Sequence, residues 1–186
     1  MARLPIRLYG DPVLKARARE VAQVSEATRR LAADMLETMD SCKGVGLAAN
    51  QVGVLERVAV FSVPSGREGE PPWRAALVNP EVVSVAGEQV AEEGCLSFPG
   101  LYFDVKRPQR VKVRALDLDG RPVELDAEGY RARALIHEID HLDGVLYIDR
   151  ISTVKRNLLR GKREDIRRRG VAGETRDAAD AVGEDF

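Results

Sequence analysis

RVKVRALDLDGRPVEL, residues 110–125, alternates in steps of two: Val111 and Val113 share one face, while Arg110, Lys112 and Arg114 share the other. That is the period of a half-buried strand. Asp119-Gly120 supplies a hairpin turn, and Val123-Glu124-Leu125 returns alongside the first strand. Upstream, Arg57 to Val63 (RVAVFSV), Ala75 to Val78 and Val82 to Val85 read as further short strands, with Pro64 to Pro72 a polar loop. Strands that follow one another without intervening helices predict antiparallel sheet and an α+β class.

Helices are expected on either side of this region. Ser25 caps one in which Ala27, Leu31, Met35, Met39 and Cys42 form an apolar stripe, ended by Gly44. A second should run from Glu128 to His141 with Gly144 as its stop, and a third from Thr153 to Arg168. The start, PIRLYGDPVL at 5–14, reads as extended chain with a turn. Residues 171–186, VAGETRDAADAVGEDF, are small, acidic and without an aromatic before Phe186, so a disordered tail is expected after a single domain of residues 1–170.

Composition narrows the function classes. The 186 residues carry 29 Lys+Arg against 30 Asp+Glu, a net charge of −1, and 5% aromatics. Neither figure suits a DNA-binding surface of the basic-patch kind. The longest uncharged run, Gly44 to Leu55, is 12 residues, short of the roughly 18 that a membrane helix needs. Met1 to Arg7 has no apolar h-region. A soluble cytoplasmic protein is expected, with Cys42 and Cys95 as thiols.

The only two histidines stand at His137 and His141. Four residues apart on a helix, they lie about 40° apart around the axis, close enough to share one ion. With Glu138 they spell H-E-x-x-H, a metal-binding helix with a carboxylate poised for acid–base work. A catalytic centre of this type takes three protein ligands and leaves one position open. The metzincin pattern fails, because the position of its third histidine holds Tyr147. Glu164 is the only downstream glutamate before the tail, and it sits in a charged run. Cys95, in Glu93-Gly94-Cys95-Leu96-Ser97, is the better third ligand, since a thiolate binds borderline ions well. Cys42 belongs to the apolar stripe. Gly44-Val45-Gly46-Leu47-Ala48-Ala49 matches a dinucleotide fingerprint, but a helix precedes it where a strand is required. A glycine-rich run followed by Asn50 and Gln51 suits instead a close backbone approach to an extended ligand.

Three segments, GVGLAANQ at 44–51, EGCLS at 93–97 and HEIDH at 137–141, stand in this order. Together they resemble the peptide deformylases, which remove the formyl group from the N-terminal formyl-methionine of new bacterial proteins. RLYGDPVL at 7–14 is also similar to the family's start, and the likeness covers about residues 5–150. It implies an α+β fold with the HExxH helix packed among antiparallel sheets. It implies one divalent ion on Cys95, His137 and His141: Fe2+ in the cell, with Zn2+, Ni2+ or Co2+ in purified protein. Glu138 would be the general acid/base, and the Gln51 side chain and Leu96 N–H would cradle the oxyanion. Val45 and Gly46 would bind the substrate, an N-formyl-methionyl nascent peptide. Asn50 departs from the proline or threonine common at that position, a change expected to touch loop stiffness rather than chemistry.

From Lys155 to Arg169 eight basic residues face two acids, either a solvated helix face or an attraction to ribosomal RNA. Two rival functions remain at this stage. A zinc endopeptidase is disfavoured by Tyr147. A non-catalytic metal-stabilised binding module would need no Glu138 and a fourth protein ligand, for which Cys42 is the only other soft candidate.

Overall fold

The computed structural model describes residues 2–177. A short strand β1 (Ile6–Arg7) leads to helix α1 (Glu26–Ser41), then strands β2 (Gly46–Ala48), β3 (Val58–Val63), β4 (Trp73–Ala86), β5 (Gln89–Glu93) and β6 (Phe103–Arg107). Strands β7 (Arg110–Leu116) and β8 (Pro122–Glu128) precede helix α2 (Gly129–Leu142). Helices α3 (Thr153–Leu158) and α4 (Arg160–Val171) and strand β9 (Thr175–Arg176) follow. The main sheet has five strands in the order β2-β3-β4-β7-β8, every neighbour antiparallel; β5–β6 and β1–β9 form two smaller antiparallel ribbons. The expected α+β class is therefore found.

Alternation along β3 explains the layering. Val58 and Val60 enter a core with Ala32, Met35 and Met39 of α1, while Ala59, Phe61 and Val63 enter a second core with Ala132, Leu135 and Ile139 of α2. The two helices thus cover opposite faces of the sheet, and β3 is apolar at every position but Ser62 because both its faces are buried. A third core, around Phe98, Leu101, Phe103 and Tyr147, lies on the β5–β6 side of α2. Each fully buried side chain of this size contributes roughly 1.5–3 kcal/mol.

Several local expectations change. The buried stripe of α1 is Thr28, Ala32, Met35, Thr38 and Met39, continued by the C-cap Cys42; Ala27 is exposed and Leu31 half-buried. Threonines can face inward here because their hydroxyls are satisfied locally. Thr28 closes a capping box with Ser25, and Thr38 Oγ1 donates to Asp34 O at 2.7 Å while accepting from Leu4 N. The two strands expected over 75–85 are one strand, carried through a register shift at Asn79 (φ 53°), whose amide bonds both backbone groups of Val21. The third helix breaks at Leu159 into α3 and α4, which lets Ile166 enter the core and brings Gly170 against the backbone of Leu8 and Tyr9. The tail expected to be disordered from 171 on is structured as far as described: α4 ends at Val171, and β9 pairs with β1. Residues 178–186 lie outside the described residues.

Candidate metal centre

Helix α2 carries the two histidines on one face, with ring centroids 5.0 Å apart. The turn after β5 brings Cys95 to them, Sγ lying 3.2 Å from His141 Nε2. That turn is held by a stack of Tyr9 on Phe98, an edge contact of Phe98 with Tyr147, and a bond from Tyr147 Oη to Leu101 O at 2.9 Å. Tyr147, which occupies the metzincin ligand position, therefore braces the Cys95 turn. One donor atom each from Cys95, His137 and His141 fall within 4.8 Å of one another, the one such group among the described residues. Donors roughly 2.0–2.3 Å from a tetrahedral ion lie about 3.3–3.8 Å apart, so this set fits an ion with little adjustment. Cys42 is buried in the α1 core, and Glu164 pairs with Arg163 and Arg167 on α4; neither joins the group.

Glu138, one residue beyond the first ligand, is buried, and its Oε2 has no partner. It lines a cavity of about 300 Å³ with Val45, Gly46, Gln51, Cys95, Leu96 and His137. A side chain at Gly46 would put Cβ 2.4 Å from Glu138 Oε1, so the carboxyl occupies space that only a glycine leaves. Gln51 is oriented from behind: its Oε1 accepts from Ala48 N at 2.9 Å, which turns Nε2 toward Cys95 Sγ (3.6 Å) and Ser97 Oγ (3.3 Å). All eight residues expected at the site, Val45, Gly46, Gln51, Cys95, Leu96, His137, Glu138 and His141, meet at this cavity or its metal-ligand group. The sequence profile of the family "Polypeptide deformylase" matches residues 3–157.

The chain belongs to the polypeptide deformylase family. A relative named peptide deformylase from Alkalilimnicola ehrlichii is 48% identical over 178 residues, 94% of this chain and 98% of the relative. The crystal structure of peptide deformylase from Thermus thermophilus superposes with a TM-score of 0.82 at 42% identity, covering 90% of this chain and 99% of that one. That of the Ehrlichia chaffeensis peptide deformylase in complex with actinonin gives 0.83 at 37%, covering 91% and 98%.

Charge at this deformylase site is arranged unevenly. Burial works against the charge of His137, but hydrogen bonds to Cys95 and Glu93 and the charge of Glu138 outweigh it and hold the ring well above the usual histidine range. His141 lies well below it, through burial and the charges of His137 and Arg107. Burial lifts Glu138 to about 7, with Glu93 adding to the rise and His137 and Arg107 opposing it. Burial would also lift Glu93, yet its bonds to Arg107 and His137 hold it at about 2.

Behind the ligands lies a group that the sequence reading did not single out. Glu93 Oε2 meets His137 Nδ1 at 3.1 Å, which leaves Nε2 for the site. Arg107 and Arg133 hold Glu93, and Arg107 also reaches Asp140. One signal was present: Phe103, Val105 and Arg107 alternate with Asp104 and Lys106, which puts Arg107 on the inward face of β6. Asn50 also does more than stiffen its loop. Fully buried, it donates from Nδ2 to the backbone oxygen of His141 and so ties the Gln51 turn to the ligand helix.

Proposed function

We infer that this deformylase hydrolyses the formyl group from the N-terminal formyl-methionine of new polypeptides, releasing formate, with Cys95, His137 and His141 holding one divalent ion. The observation that supports this most directly is the buried, unpartnered Glu138 oxygen beside a three-donor group at an open cavity. A divalent ion at these ligands supplies Lewis acidity and makes water acidic enough to react near neutral pH. Glu138 takes the proton of the attacking water and delivers it to the departing amine nitrogen. Gln51 Nε2 and the Leu96 N–H donate to the formyl oxygen as it gains charge, and losing one such donor costs about 2.7–4 kcal/mol. β2 is an edge strand of the sheet, so the free edge at Gly46 can pair with an extended substrate backbone, while Val45 lines the methionine pocket.

The donor set accommodates Fe2+, Zn2+, Ni2+ or Co2+. We assign Fe2+ in the cell, because the family resemblance implies it; activity lost in air but kept under nitrogen supports that assignment, and equal stability in both contradicts it. Among the described residues no helix is long and apolar enough to cross a membrane, and a cytoplasmic setting beside nascent chains is part of this proposal. So is a ribosome contact through the exposed basic side chains of α3 and α4. Because Ile166 is packed in the core, the contact is best tested by charge reversal at Lys155, Arg160 and Arg168. Unchanged salt-sensitive ribosome binding would remove it.

The activity test is formate release from a formyl-methionyl peptide by the metal-loaded chain, with Glu138→Ala alongside. Glu138→Ala should keep its metal and lose about 10²–10⁴-fold in turnover. Near-normal turnover would contradict the role of Glu138, and cleavage of internal peptide bonds instead would favour the endopeptidase.

A further inference from the structure

Four ionic side chains form an unbroken path from the surface to the back of His137, with Arg133 joining it at Glu93. Arg150, 42% exposed, grips Asp140 through Nε at 2.6 Å and Nη2 at 2.5 Å. Asp140 Oδ2 also accepts from Arg107 Nη1. Arg107, 1% exposed, donates to both Glu93 oxygens at 2.9 Å, and Arg133 donates to Glu93 Oε1 at 2.6 Å. Glu93 Oε2 in turn meets His137 Nδ1 at 3.1 Å. We propose that Arg150 and Asp140 are positioning residues that set how strongly Glu93 pulls on His137, and so how tightly the Cys95–His137–His141 group binds its ion.

A carboxylate that accepts from a ligand imidazole makes that ring a better donor. Here the carboxylate is shared. Two arginines draw on Glu93, and its contact with His137 is longer than any it makes with them. Arg107 is divided in the same way between Glu93 and Asp140. Without Arg150, the Asp140 charge rests on Arg107 alone and draws it away from Glu93; Glu93 then pulls harder on His137, and the ion binds more tightly. Without the Asp140 charge, Arg107 closes on Glu93, the pull on His137 weakens, and the ion binds less tightly. The two ends of one ion pair thus have opposite effects. A bracing role alone, tying α2 to β6 and to the 147–150 turn, predicts weaker binding for both.

The proposal rests on the metal reading above, and the experiment separates the two. Zn2+ affinity is measured by competition with a chromophoric chelator for the full chain, Arg150→Met, Arg150→Lys, Asp140→Asn and, as a charge control, Arg17→Met. Arg17 is 78% exposed and pairs with Asp143 at 3.7 Å, outside the path. Loss of a direct outer partner typically changes affinity about 10–100-fold, and two to three links further out, at Asp140 and Arg150, a change of at least about threefold is expected. Arg150→Met should bind Zn2+ more tightly, Asp140→Asn less tightly, Arg150→Lys between Arg150→Met and the natural chain, and Arg17→Met unchanged. The Co2+-loaded variants should show matching shifts of the thiolate-to-metal absorption band. Weaker binding in both Arg150→Met and Asp140→Asn, or falling melting temperatures with unchanged affinity, overturns the proposal. A natural chain that binds no Zn2+ removes the metal reading, and the proposal with it.

Discussion

Replacing Gly46 with alanine places a methyl group 2.4 Å from Glu138 Oε1, 2.8 Å from Cγ and 2.9 Å from Cδ. Ordinary contact needs about 3.5 Å, so the carboxyl must retreat by roughly 1 Å. The atoms in the way are the end of a side chain, and Gly46 is not among the positive-φ glycines, so the backbone accepts alanine. Overpacking of about 1–3 kcal/mol is partly offset by about 0.4–1 kcal/mol from a stiffer unfolded chain. The main effect is on chemistry. A 1 Å displacement of a reacting group costs about 100-fold, or about 2.7 kcal/mol of barrier. Formate release from a formyl-methionyl peptide should therefore show kcat down about 100-fold, with Zn2+ affinity unchanged. A folded Gly46→Ala chain with kcat within about threefold of the natural one would refute the claim that Gly46 makes room for Glu138.

Cys95→Ser should weaken Zn2+ binding by at least about tenfold, read by chelator competition, since it replaces a thiolate with a neutral hydroxyl; unchanged affinity would remove Cys95 from the site. Removing the ion should lower the melting temperature. At a thousandfold excess over Kd, binding adds about 4 kcal/mol, and about 2–4 °C per kcal/mol for a chain of this size gives a drop of roughly 8–16 °C on chelation. Gly144→Ala should act on stability. At φ 74° its Cβ would lie 2.4 Å from the Lys15 backbone oxygen, which cannot swing away. A loss of about 2–5 kcal/mol in urea unfolding is expected, from left-handed strain and overpacking together.

What the sequence made legible is what depends on near neighbours in the chain. His137 and His141 share a helix turn, Val111 and Val113 share a strand face, and Ser25 caps the helix that follows it. Each follows from a period or a cap, with no reference to the rest of the chain. The supporting path behind the ligands was not legible for the opposite reason. Glu93, Arg107, Asp140 and Arg150 come from β5, β6, α2 and the turn after it, and only the packing of those elements makes them partners. The alternation of β6 marks Arg107 as inward-facing, but no local pattern says which acids it meets there. Thr28 and Thr38 are not part of the expected apolar stripe, and it is their local hydrogen bonds that make the inward face acceptable. Asp140 stood inside the HEIDH motif itself, but the motif's chemistry concerns only its first, second and fifth residues.

The most direct test of the metal centre is an anomalous-difference map at the absorption edge of the ion in crystals of the loaded protein. It should show one peak roughly 2.3 Å from Cys95 Sγ and about 2.0–2.1 Å from one nitrogen each of His137 and His141, with no fourth protein ligand. A peak that touches no sulfur, or one closed off by a further side chain, would contradict the account.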